Sequence, residues 1–138
     1  MGTSNGDHLR MGHTGEELGA DCVDLWEGGY FELKPLGAQF GEAAGRLALT
    51  EGHEGCFWRS SELGGPYGPV RQVWADFRDE VHVILRETAE NLDLTGDALI
   101  LAANEYLETD TVAKRKFEEL KPAVIDAYVR GDGMEPGR

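Results

Sequence analysis

Three stretches of this chain carry side-chain types that could do chemistry or recognition. His53-Glu54-Gly55-Cys56 sets an imidazole near a thiol, the types needed for a nucleophile with its base or for half of a metal site. Nothing supplies the other half. His8 and His13 fall in an N-terminal segment whose composition predicts disorder, His82 falls in a helical pattern, and the second cysteine, Cys22, has no Cys-x-x-Cys spacing with Cys56. The stretch reads as a solvated loop histidine and a packed cysteine, so no catalytic residue, metal or cofactor is assigned. Gly64-Gly65-Pro66-Tyr67-Gly68-Pro69 lacks the Lys-Ser/Thr that grips phosphates and reads as a turn. Carboxylates such as Asp76 and Glu80 share a helix surface with no apolar pocket to perturb them, which predicts a solvated face. The third stretch, Tyr106-Leu107-Glu108-Thr109-Asp110, is different in kind. On a continuous helix, residues four apart lie on one face, so a phenol and a carboxylate would be displayed together for recognition. A second Tyr-x-x-x-Asp, Tyr128 to Asp132, follows it.

The elements that must position these residues are helical. From Val70 onward, Trp74, Phe77, Val81, Ile84, Leu85, Leu92, Leu99, Ala103 and Tyr106 recur at helical steps, while Arg71, Asp76, Asp79, Glu87 and Glu90 cover the other side. Run unbroken from Val70 to Phe117, this helix would reach on the order of 70 Å. Two successive steps of four near Leu92, followed by Gly96, predict a stutter or bend there, with a break into two helices as the alternative. Pro122 is expected to interrupt the helical run. A shorter helix opens at Pro35 and carries Leu36, Phe40, Ala43, Ala44 and Leu47. On it, Gly37, Gly41 and Gly45 lie four apart, which fits either a tight helix-helix seam or a weak, fraying helix. Residues 51–69 are the Gly/Pro-rich connection, over which Phe57 and Trp58 are expected to fold back onto the helix ends. Upstream, Thr14 and Glu17 fit a capping box for a short helix carrying Leu18, Cys22 and Leu25 and ending at Gly28-Gly29; a helix this short must dock or fray.

The predicted fold is therefore all-α: an antiparallel helical hairpin with a long second helix. Its parts are a flexible N-terminal extension over 1–30 containing the short helix, the hairpin over 31–118, and a short helix with a C-terminal tail over 119–138. The first helix is too short to cover the apolar stripe of the second, so the surplus predicts burial by another protomer, by the N-terminal segment or by a different subunit, giving a helical bundle on dimerisation. The partner-facing residues would be Trp74, Phe77, Val81, Leu85, Leu92 and Leu99; aromatics at this spacing are more often core, so Trp74 and Phe77 are expected to pack against the first helix near the turn, with an exposed aromatic patch for a partner as the alternative.

Composition narrows the partners. The 138 residues carry 26 Asp plus Glu against 13 Lys plus Arg, a net charge of −13, which repels phosphate backbones and anionic membranes. Lys114-Arg115-Lys116 reads as compensation of a helix dipole, and no nucleic acid partner is expected. No run is apolar and long enough to span a bilayer, and the first residues have neither a charged n-region nor an apolar h-region, so no membrane insertion is expected and any export would use a folded-protein route.

The residues also carry a family resemblance. Phe31-Glu32-Leu33-Lys34-Pro35-Leu36 leads into an Ala-rich amphipathic helix. A Gly-rich turn follows, then Phe77 and a long helix through Ala98-Leu99-Ile100-Leu101-Ala102-Ala103-Asn104-Glu105-Tyr106-Leu107-Glu108-Thr109-Asp110. This pattern, over about residues 31–117, resembles the small helical-hairpin proteins of actinobacterial type VII (ESX) secretion, EspC-like proteins related to the W-x-G family. The resemblance implies a non-enzymatic secretion substrate or secretion-associated protein, folded in the cytoplasm and then secreted, as a homodimer or as a heterodimer with another helical-hairpin protein. It implies that Tyr106 and Asp110 form a C-terminal secretion signal read by the secretion-machinery ATPase. The chain departs from the pattern in its W-x-G turn: Trp26-Glu27-Gly28 has the letters but precedes the first core helix, and Trp58-Arg59-Ser60 has Ser in place of Gly. The alternative reading is a cytoplasmic helical interaction or adaptor protein acting as a homo-oligomer.

Overall fold

The computed structural model describes residues 14–131, and these are helical apart from short turns and one isolated bridge between Trp58 and Tyr67. Four α-helices are present: α1 (Gly15–Glu27), α2 (Lys34–Leu49), α3 (Pro69–Thr109) and α4 (Thr111–Arg130). The architecture is all-α but is not a simple two-helix hairpin, because α1 and α4 are substantial helices of 13 and 20 residues that pack on each other. The chain groups into two units, one of Met1–Gly29 with Ala98–Arg138 and the other of Tyr30–Asp97.

In the first unit the capping box at Thr14 forms: its hydroxyl accepts from the Glu17 N–H at 3.2 Å and the Glu17 carboxylate accepts from the Thr14 N–H at 2.8 Å. The helix docks rather than frays. Gly15 lies against Val112 and Gly19 against Ala113 and Lys116, so closely that a Cβ on Gly19 would stand 2.6 Å from the Ala113 carbonyl oxygen. Further along, Trp26 meets Phe117 edge-on at 6.2 Å between ring centroids. Rising numbers on α1 meet rising numbers on α4, so the two helices run parallel. Cys22, Val23, Trp26, Ala103, Leu107, Ala113 and Phe117 are the buried core of this unit, contributed by α1, the end of α3 and α4.

α1 ends at Gly28-Gly29 as expected, with Gly28 as its C-cap, but the backbone stays helical beyond it. Six residues, Gly28–Leu33, make wider π-type turns that carry the chain from α1 into α2. Pro35 has no N–H to give the carbonyl one turn back and its ring crowds it, and a locally widened turn accommodates both.

In the second unit, Gly37 lies against the α3 backbone, where a Cβ would be 3.0 Å from the Ala89 carbonyl oxygen, and Phe40 and Ala43 line a shallow cleft with Leu85. Here rising numbers on α2 meet falling numbers on α3, which makes the contact antiparallel. Of the glycines spaced four apart, Gly37 makes the close approach, Gly41 has ordinary contact and Gly45 faces open space. Lys34 clamps the far end, its ammonium donating to Asp93 at 2.8 Å and Asp97 at 2.7 Å. These two hydrogen bonds, Asp93 first, raise the Lys34 pKa above its ordinary value.

Two further expectations fail for identifiable reasons. The long helix does not run from Val70 to Phe117, nor does it break at Gly96, which is buried within α3; it ends at Thr109 and restarts at Thr111. Thr109-Asp110-Thr111 is a run of residues that favour caps over helix interiors, and Asp110 takes extended backbone angles (φ −134°, ψ 109°) to cap α4. Pro122 does not interrupt α4. The carbonyl it leaves without a donor belongs to Glu118, an exposed residue, so the lost bond falls on the solvent side of the helix.

Candidate functional site

The Tyr106/Asp110 pair is built differently from the sequence expectation. Tyr106 stands 52% exposed on the last turns of α3, and Thr109 closes the turn after it by donating its hydroxyl to the Tyr106 carbonyl at 2.9 Å. Asp110 lies outside the helix that holds Tyr106. Its carboxylate accepts from the backbone N–H groups of Val112 at 2.9 Å and Ala113 at 3.0 Å, and its carbonyl accepts from the Lys114 N–H at 3.0 Å. The two residues are therefore not stacked one helical turn apart on a shared face. The phenol is displayed, while the carboxylate is engaged in holding the start of α4. Asp132 of the second Tyr-x-x-x-Asp lies outside the described residues.

Beside this break, Asn104, Leu107 and Glu108 of α3 face Lys114, Phe117, Glu118 and Lys121 of α4 across an open cleft of about 390 Å³. Lys121 lies 4.6 Å from the Trp26 ring and 5.5 Å from that of Phe117. No local residue pattern points to this cluster, which joins distant segments. Trp26, whose W-x-G letters stand outside the expected turn, is 8% exposed and at the centre of the α1–α4 contact. Burial, followed by the nearby Asp21 charge, raises the Cys22 pKa, while Cys56 is exposed.

In the second unit the expected partner-facing residues divide. Leu85 and Leu92 are half-buried and turned toward α2, Leu92 lying against Gly37. Trp74 is covered by Phe57, which folds back from the connection to 6.3 Å between ring centroids, and it touches Phe77 at 6.4 Å. Phe77 is nevertheless 57% exposed, and Val70, Val73 and Ile84 on the same side of α3 are exposed to a similar degree. Trp58, expected to fold back with Phe57, is exposed instead. Val81 is half-buried, and Leu99, in the first unit, lies against Gly28.

The loop pair His53 and Cys56 offers no constructed centre: the His53 ring nitrogen Nδ1 lies 3.1 Å from the Leu49 carbonyl oxygen and the thiol is exposed. Among the described residues no three His, Cys, Asp or Glu side chains are grouped to hold a metal ion, and no helix is long and apolar enough to cross a membrane. No protein-family model matches the chain, and searches of curated proteins and of solved structures give no match. The arrangement offers exposed apolar side chains along regular helices, a surface of the kind that docks partners.

Proposed function

We propose that this is a non-enzymatic helical interaction protein, a type VII secretion substrate or secretion-associated protein that docks through the exposed apolar flank of α3 and completes a helical bundle with a partner hairpin. The observation that carries the reading is that Val70, Val73, Phe77 and Ile84 stand between 56% and 68% exposed along one helix. An apolar row of this kind on a regular helix suits helix-in-groove or helix-bundle recognition. The antiparallel contact of α2 with α3 supports the hairpin element of that proposal. In it, the protein folds in the cytoplasm and is then secreted, with Tyr106 as the exposed anchor for the secretion-machinery ATPase and Asp110 as its acidic companion.

A specific observation favours the second reading, a cytoplasmic adaptor: the Asp110 carboxylate is already committed to the N-terminus of α4. Substitution separates the two roles. Asp110→Ser keeps a capping oxygen and removes the charge, whereas Asp110→Ala removes both and should cost about 1 kcal/mol of stability. If the pair is an export signal, Tyr106→Ala and Asp110→Ser each abolish export of a folded protein, read by fractionation of cells and medium. Export of both variants at the level of the unaltered chain would overturn the signal, and a chain never found outside the cell would favour the adaptor.

A further inference from the structure

Resting on the docking reading above, we infer that the α3 flank selects a cationic amphipathic helix and not a second copy of this chain. Val70, Val73, Phe77, Val81 and Ile84 fall within an arc of about 80° and extend about 20 Å along the helix. Beyond Ile84 the same arc continues as Thr88 and Asn91, so the apolar row has a definite end.

The spacing of the row is 3, 4, 4, 3, symmetric about Phe77. By shape alone it would accept a second α3 running antiparallel, with Val70 over Ile84 and Val73 over Val81. Charge decides against that occupant. One side of the row is edged by Asp76, Glu80 and Glu87, all exposed, and in an antiparallel pair this edge would meet its own image. The basic residues of this part of α3 lie elsewhere: Arg71 sits over the Tyr67 ring at 4.1 Å, Arg78 is buried with its guanidinium on Asp79 at 2.7 Å, and Arg86 projects from the opposite side of the helix. A second copy also brings another −13 of charge. A helix with an apolar stripe edged by Lys or Arg satisfies the row and its acidic border at once. Such edges act on specificity and encounter rate more than on raw affinity, so the preference should be sensitive to salt.

The test uses the full chain and three synthetic peptides: an amphipathic helix with a Leu stripe edged by Lys, the same stripe edged by Glu, and a scramble of the Lys peptide without a stripe. Fluorescence anisotropy reads binding and sedimentation reads oligomeric state. The expected result is a monomer that binds the Lys-edged peptide at least about tenfold more tightly than either control at low salt, an advantage that shrinks as salt is added. Phe77→Gln, which leaves charge unchanged at an exposed position, should weaken that binding about tenfold, and Glu80→Lys should reduce the preference for Lys over Glu edges. Equal binding of the Lys-edged peptide and its scramble, or of both edged peptides, overturns the inference, as does full binding by Phe77→Gln. A dimer that Phe77→Gln dissociates assigns the flank to a second copy and leaves the docking reading standing. A monomer that binds none of the peptides overturns both.

Discussion

In the unit that holds α1 and α4, seven apolar residues from three helices are at most 8% exposed, and aromatic rings interlock across the contact. Between Tyr30 and Asp97 the buried apolar side chain is Ala44, and the larger ones, Leu36, Leu49, Val70, Val73, Phe77 and Ile84, stand more than 40% exposed. The first region is held together by burial of apolar area. The second is held by a close backbone approach at Gly37, an aromatic stack at its loop and an ion pair at its far end. The first region also exposes Leu101 and Val129, but it has a buried core beside them, whereas the second has little burial and a row of exposed apolar side chains along α3, which leaves it surface for association.

The sharpest way to break that contrast is to truncate one aromatic in each region. Trp26→Ala removes a buried ring and the surface on which Phe117 and Lys121 rest, and should cost about 3 to 5 kcal/mol, the range for aromatic truncation in a core. Phe77→Ala, at an exposed position, should change stability by about 0.5 kcal/mol or less. Urea unfolding of both variants checks this. Comparable losses would mean that Phe77 is structural, and the docking surface would lose its central residue.

Glycines give a smaller contrast of opposite sign. Gly19→Ala places a methyl 2.6 Å from the Ala113 carbonyl oxygen, backbone that cannot turn aside, so α1 must shift from α4 and stability falls. Gly45→Ala, in the middle of α2 with open space around it, should stabilise by about 0.4 to 1 kcal/mol. Thermal unfolding of the two variants should move in opposite directions. If Gly19→Ala is neutral, the α1–α4 contact is looser than its geometry implies.

How much of this was legible in the residues follows from the kind of signal each feature leaves. Thr14 and Glu17 announced the start of α1, because a capping box is local chemistry readable from two positions. The length of α3 through Gly96 followed from apolar periodicity, but its end at Thr109 did not. The apolar steps continue into Ala113 and Phe117, and the break depends on one side chain choosing backbone partners within its own turn. Thr109-Asp110-Thr111 held the available cue, a run of cap-forming residues inside an otherwise periodic stretch. The exposed phenol of Tyr106 was readable, whereas the use of the Asp110 carboxylate was not, since Tyr-x-x-x-Asp spacing implies a shared face only while the helix is continuous. The Trp26–Phe117 contact joins distant segments and leaves no local trace at all.

The smallest expected effect concerns the ion pair that stands in for a core in the second region. Hydrogen bonds to Asp93 and then Asp97 raise the Lys34 pKa, so the folded state holds this proton more tightly than the unfolded chain does. The stabilisation is then fully present below the ordinary lysine value of about 10.4 and disappears as pH rises through the higher folded-state value. Lys34→Met retains the aliphatic stem and removes the charge. The difference in melting temperature between the unaltered chain and this variant should stay constant from neutral pH to about pH 10 and close above it. Because the ammonium and both carboxylates are exposed to solvent, the difference should be modest and should shrink with added salt. A difference that persists unchanged into strong alkali would assign the contribution of Lys34 to packing of its stem, and the hold of α2 on α3 would then rest on Gly37 and the apolar contacts around it.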